Sequence, residues 1–177
     1  MRLEALFLRA DLAEQRLCML ANSAARRRAV RALFQTVSRL GDGMLWYVLM
    51  GLMPLWHGMA GVAIALEMLS AGAVGLLLYK LLKHRLVRER PFIGLIGVEC
   101  AMPPLDRYSF PSGHTLHAVT FTLIAIRYVP ELAIVLVPFT VLVAASRVVL
   151  GLHYPSDVIA GAVLGWCIAG MSGAVFN

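Results

Sequence analysis

Residues 43–82 read GMLWYVLMGLMPLWHGMAGVAIALEMLSAGAVGLLLYKLL, with Glu67 and Lys80 as the charged positions. One helical span needs roughly 20 apolar residues, so this run is long enough for two. Pro54, His57 and Gly58 sit where a turn between them is needed. The run is therefore expected to hold two spans, near 43–57 and 59–82, the first reaching back into Leu40-Gly41-Asp42. Backbone groups in hydrocarbon must be bonded internally, so such spans are helices.

The composition agrees with a bilayer as solvent. Of 177 residues, 60% are hydrophobic and only 15% charged, and the mean hydropathy is +0.78. A soluble domain of this balance would expose large apolar patches. The net charge of +6 suits an anionic membrane surface or an anionic substrate. Nucleic acid is not expected as a partner of so apolar a chain. Cys18, Cys100 and Cys167 are odd in number and far apart, so they form no metal pair or disulfide framework. No cleavable leader is expected, because the apolar run from Ala5 to Leu8 is too short.

Three more spans follow, from about His114 to Val129, Leu132 to Val149 and Val158 to Phe176. The first 42 residues differ. Leu3, Leu6, Phe7, Ala10, Ala13, Leu17 and Leu20 recur at helical spacing between charges, which predicts an amphipathic interfacial helix. The expected organisation is an N-terminal segment, 1–42, and a transmembrane domain, 43–177. The fold class is an all-α polytopic helical bundle of five spans, or six if the N-terminal helix inserts. Gly161 and Gly165 form a GxxxG that suits packing within the chain more than a homodimer. Trp46, Tyr47, Trp56 and Trp166 are expected in an interfacial aromatic belt.

Three polar clusters stand beside these spans: Lys83-x6-Arg90-Pro91, Pro111-Ser112-Gly113-His114, and Ser146-Arg147-x5-His153-x3-Asp157. Following the spans in order puts all three at one membrane face. Lys83, Arg90 and Arg147 suit a phosphate dianion, whose oxygens match guanidinium forks. Ser112 and Gly113 open a helix, where backbone N–H groups attract anions. His153 could attack phosphorus, with Asp157 within reach of its other ring nitrogen, and His114 could protonate the leaving oxygen. Alone, Lys83, Arg85, Arg88 and Arg90 would read as membrane-flanking charge. His114 and His117 lack the further ligands a zinc site needs, so no metal is expected, and His117 reads as a helix-packing residue. Glu67, inside a span, is either buried against a partner or functional.

The three clusters, in order, resemble the signature of the type 2 phosphatidic acid phosphatase superfamily, which also holds soluble bacterial acid phosphatases and vanadium haloperoxidases. The resemblance covers residues 83–157. It implies His153 as nucleophile, His114 as acid, Asp157 as orienting carboxylate, and Lys83, Arg90, Ser112, Gly113 and Arg147 as the phosphate cradle. It further implies a multi-pass enzyme of a bacterial-type inner membrane that needs no cofactor. Such an enzyme hydrolyses a lipid phosphomonoester or diphosphate through a phosphohistidine. Isoprenyl diphosphate, phosphatidylglycerophosphate and phosphatidic acid are all admitted. A lipid phosphotransferase and a non-catalytic lipid-binding or transport protein are the alternatives. The loop from Phe92 to Phe110 is expected to help choose the lipid. Fifteen of the sixteen Lys and Arg residues fall on the site side and Arg127 opposite, so the site is expected to face the cytoplasm.

Overall fold

The computed structural model describes residues 2–176, with side chains from Arg9 onward except Ala10. Among the described residues the regular elements are all helical, with no strand: α1 Arg2–Ala24, α2 Arg28–Arg39, a π-helical turn Leu40–Met44, α3 Leu45–Arg85, α4 Pro91–Gly94, α5 Gly113–Tyr128, a 3-10 turn Pro130–Leu132, α6 Ala133–Val149 and α7 Pro155–Phe176. Among the described residues, three stretches are long and apolar enough to cross a membrane: Arg28–Arg85, Pro130–Val149 and Pro155–Phe176.

A straight helix of 41 residues would be about 60 Å long, twice the hydrocarbon core. Instead α3 folds back at Gly58, whose φ of 56° and ψ of −132° interrupt the helix. A positive φ is open to glycine at little cost. Gly61 then lies so close to the chain ahead of the turn that a Cβ there would come within 2.0 Å of the Met53 carbonyl. On a straight helix these positions would be about 12 Å apart. The turn expected from Pro54, His57 and Gly58 is thus made at Gly58.

Helix α5 runs through the middle, packed on α3, α6 and α7. Leu116, Ala118, Ile124 and Ala125 are buried together with Thr115, Thr120 and Thr122, so it is enclosed around its circumference. Gly161 and Gly165 of α7 press against its backbone, and a Cβ at either would stand 2.5 Å from the carbonyls of Ser112 and Leu116. The GxxxG is therefore used within the chain. The outer faces carry Leu55, Met59, Ile134, Val135 and Val175, all exposed.

Trp46 corrects the aromatic-belt expectation. It is 1% exposed, donates its indole N–H to Gly41 O at 3.1 Å, and packs on Phe121 and Phe139. Tyr47, Trp56 and Trp166 do face outward. Along α1, Leu12, Leu17 and Leu20 are exposed, while the apolar stripe's first part, Leu3 to Ala10, lies outside the described side chains. The opposite face of α1 docks on α6 and α7, burying Cys18 and Asn22. Asn22 Nδ2 donates to Glu99 O and Val149 O at 3.0 Å each. The boundary at residue 42 falls inside the π-helical turn between α2 and α3.

Toward the end of the bundle away from Lys83, Glu67 is 0% exposed. Its carboxylate accepts from Arg127 Nη1 at 2.8 Å, Tyr128 Oη at 2.6 Å and Ser172 Oγ at 2.7 Å. The buried-with-partners reading describes this residue.

Candidate active site

Four helix ends converge opposite Gly58. Lys83 lies in the last turn of α3, Ser112 is the N-cap of α5 with Gly113 and His114 following, Arg147 ends α6 and Asp157 opens α7. Arg90, the N-cap of α4, and His153, in the α6–α7 loop, complete the group. Lys83, Arg90, Ser112, His114, Arg147, His153 and Asp157 are all buried. The three clusters expected at one face are brought together there.

The chemistry of His153 is set by Arg90. Arg90 Nη1 donates to Leu152 O at 2.7 Å and stands 3.3 Å from His153 Nε2. A guanidinium has no acceptor, so Nε2 must present its lone pair and Nδ1 must carry the proton. Burial, then the charges of Arg147, Arg90 and Lys83, hold the imidazole well below its ordinary value of 6.5. His153 is therefore a neutral base with its Nε2 lone pair directed among cations.

Asp157 does not grip this ring as tightly as the spacing suggests. Its Oδ2 is 3.7 Å from His153 Nδ1, beyond hydrogen-bond length. The carboxylate has nearer donors: Arg88 Nη1 at 2.7 Å to Oδ1, and the Tyr154 N–H at 2.8 Å to Oδ2. Arg88 reaches on to Glu14 Oε2 at 2.7 Å and lies over the Tyr154 ring. Glu14 Oε1 in turn accepts the Ser156 N–H at 2.7 Å. Helix α1 is thereby tied to the first turn of α7.

Among the cations, Arg147 Nη1 donates to Ser38 Oγ of α2. Arg147 Nε is a buried side-chain nitrogen with no partner among the described residues. Lys83 and Arg90 both meet Asp106, which also accepts from Tyr79 Oη at 2.7 Å. Burial works to raise Asp106. The hydrogen bonds from Lys83 and Tyr79 and the charges of Lys83 and Arg90 outweigh it and hold the carboxyl below its usual range. Two of the three expected phosphate ligands are thus paired with a carboxylate from the 92–110 loop.

Ser112 Oγ lies 3.0 Å from Thr115 Oγ1, so its hydroxyl does not cap the backbone of α5. His117 places its ring nitrogens 2.9 and 3.2 Å from the carbonyls of Gly113 and Gly72, joining α5 to α3. His114 Nε2 is 3.3 Å from Asp42 Oδ1. Both residues line a cavity of about 380 Å³ between the two arms of α3 and α5. Its other walls include Trp46, Met50, Leu69, Leu76 and Phe121. Sequence reasoning missed Asp42, Arg88, Asp106 and Glu14. A carboxylate between two glycines at the start of a span was the one available signal, at Gly41-Asp42-Gly43.

The chain is similar to several known proteins. Undecaprenyl-diphosphatase of Sulfolobus acidocaldarius is 31% identical over 140 residues, covering 77% of this chain and 66% of that protein. Decaprenylphosphoryl-5-phosphoribose phosphatase of Mycobacterium tuberculosis is 38% identical over 103 residues, 56% of this chain and 55% of that one. The chain thus spans two thirds or less of the length of these curated relatives. Among solved structures, Aquifex aeolicus LpxE superposes with a TM-score of 0.79 at 25% identity, covering 90% of this chain and 93% of its own. The PAP2 type phosphatidylglycerolphosphate phosphatase of Bacillus subtilis gives 0.74 at 25% identity, covering 94% and 85%. The family model of the PAP2 superfamily matches residues 60–176, and the chain belongs to that superfamily.

Proposed function

We propose that this protein is an integral membrane lipid phosphatase that works through a phosphohistidine on His153. The observation that carries the reading is the buried Arg147 Nε, which has no partner among the described residues, beside a His153 Nε2 lone pair faced by Arg90. A buried guanidinium nitrogen without an acceptor is costly unless a ligand supplies one.

His153 Nε2 attacks phosphorus and forms the N–P bond. Lys83, Arg90, Arg147, Ser112 and the first N–H groups of α5 neutralise the non-bridging oxygens. The P–O bond to the lipid breaks, and its electron pair leaves on oxygen, which takes a proton from His114. His114 suits this role because it lines the apolar cavity, where the lipid chain attached to that oxygen would lie. Water then attacks phosphorus, gives its proton to His114, and the N–P bond breaks. Asp157, near His153 Nδ1, stabilises the charge that develops on the ring.

The spans are read as five: the two arms of α3, then α5, α6 and α7, with residues 1–42 as an interfacial segment. Helix α5 has 16 residues, short for a span, and sits in the interior of the bundle. The substrate class is a lipid phosphomonoester or diphosphate. By the distribution of Lys and Arg the site faces the cytoplasm.

The test is phosphate release from purified protein against isoprenyl diphosphates, phosphatidylglycerophosphate and phosphatidic acid, with acid quench to trap the phosphoenzyme. Wild type should release phosphate from at least one and carry an acid-labile phosphate on His153, and His153→Ala should do neither. Near wild-type turnover by His153→Ala would sink the mechanism.

A further inference from the structure

Resting on the reading above, we propose that Asp42 is a positioning residue for His114, fixing which ring nitrogen handles the leaving-group proton. Two cations stand close enough to act on His114, Arg147 and Arg90. A proton donor in such company needs a counter-charge. Asp42 is the carboxylate within ion-pair distance of the ring, its Oδ1 3.3 Å from Nε2.

The backbone departs from regular helix at this point. Asp42 has φ −82° and ψ 24°, and Gly43 has φ 122°, inside a π-helical turn. Local departures of this kind inside helices cluster at functional sites. Gly41 packs so closely on α6 that a Cβ would stand 2.7 Å from Val143 Cγ2, which holds the turn in place. The turn delivers Asp42 into the same cavity that His114 lines, at the polar end of its apolar walls. The family match begins at residue 60, so Asp42 comes from a part of the chain that the match does not include.

With Asp42 Oδ1 3.3 Å away, His114 Nε2 keeps its proton, and Asp42 stays a carboxylate throughout. Nδ1 is then the atom that gives its proton to the departing alkoxide and later takes one from water. His114 alternates between imidazolium and the neutral Nε2–H tautomer.

The experiment separates this role from a structural one by leaving group. Dioctanoyl phosphatidic acid expels an alkoxide and needs the proton, whereas p-nitrophenyl phosphate expels a phenolate that does not. First-turnover alcohol release from the lipid should fall roughly 100-fold in Asp42→Asn, the scale of general acid catalysis. First-turnover nitrophenolate release should stay within about 3-fold. Asp42→Glu should recover much of the lipid rate. His114→Ala should show the same selectivity, and adding Asp42→Asn to it should cost nothing further, because the two act as one unit. Equal loss on both substrates, or no loss on the lipid, overturns the assignment of Asp42. Wild-type protein that cleaves neither substrate, or an active His153→Ala, overturns the phosphatase reading instead.

Discussion

Arg88 Nη1 donates to Asp157 Oδ1 over 2.7 Å, and the same guanidinium reaches Glu14 Oε2 at 2.7 Å. Asp157 is 0% exposed, so its charge depends on this partner. Removing one member of a buried pair strands the other charge, at a cost of about 3–5 kcal/mol when fully buried. Arg88 is itself a third exposed, which reduces that figure. Arg88→Ala should lower kcat roughly 10-fold and lower the melting temperature of the detergent-solubilised protein. Glu14→Gln should cost less, because Asp157 keeps its partner. Steady-state kinetics and melting curves of the two variants check this, and a larger loss of kcat in Glu14→Gln would refute the order.

The second prediction concerns pH. His153 lies well below 6.5 in the folded protein, while an unfolded histidine titrates near 6.5. Below that value the unfolded chain binds a proton that the folded chain refuses, so stability falls as pH drops below about 6.5. The proposed nucleophile meanwhile stays neutral, and the acid limb of kcat/KM should lie below 6.5. The profile must be corrected for the substrate's own ionisation near 6. An acid limb at or above 6.5 would count against His153 as a buried neutral base.

Asp106 pairs with Lys83 and Arg90, and a phosphate dianion would compete with it for both. Asp106→Asn keeps the shape of the side chain and removes the competing charge. Inorganic phosphate should then inhibit more tightly, with Ki lowered about 3- to 10-fold, the effect of about 1 kcal/mol. A raised Ki would mean that Asp106 organises the two cations and does not compete for them.

Glu67 gathers Arg127, Tyr128 and Ser172 away from the catalytic groups. Glu67→Gln leaves Arg127 without a counter-charge inside the bundle. The melting temperature should fall while kcat stays within about 2-fold, since distant sites act independently. A loss of kcat with unchanged melting would give Glu67 a functional role.

Orientation is testable through Cys100, which is exposed in the loop beside the site. In a variant keeping only this cysteine, a membrane-impermeant thiol reagent should label lysed cells and not intact ones. Equal labelling in both would put the site on the outer face.

Within residues 43–82 and 114–176 hydropathy alone located the helices, because spans and turns are local properties there. The convergence of Lys83, Arg90, His114, Arg147, His153 and Asp157 was also legible, since the order of spans sends each cluster to the same end. The helix at Arg28–Arg39 was hidden by its arginines, which masked the apolar spacing of Val30, Phe34 and Val37. Trp46 was misread because its type suits both an interface and a core, and only packing on Phe121 and Phe139 decides between them.

By itself, then, the sequence determined the set of candidate polar residues and the end of the bundle at which they gather, because motif spacing and span order each operate within short segments. Only the tertiary structure decided which carboxylate stands against which cation or ring. Asp42 meets His114, Asp106 meets Lys83 and Arg90, and Glu14 meets Arg88. The Arg88 to Glu14 bond joins residues 74 positions apart. Such pairings depend on how α1, the π-helical turn and the 92–110 loop fold over the bundle end, and no local spacing encodes that.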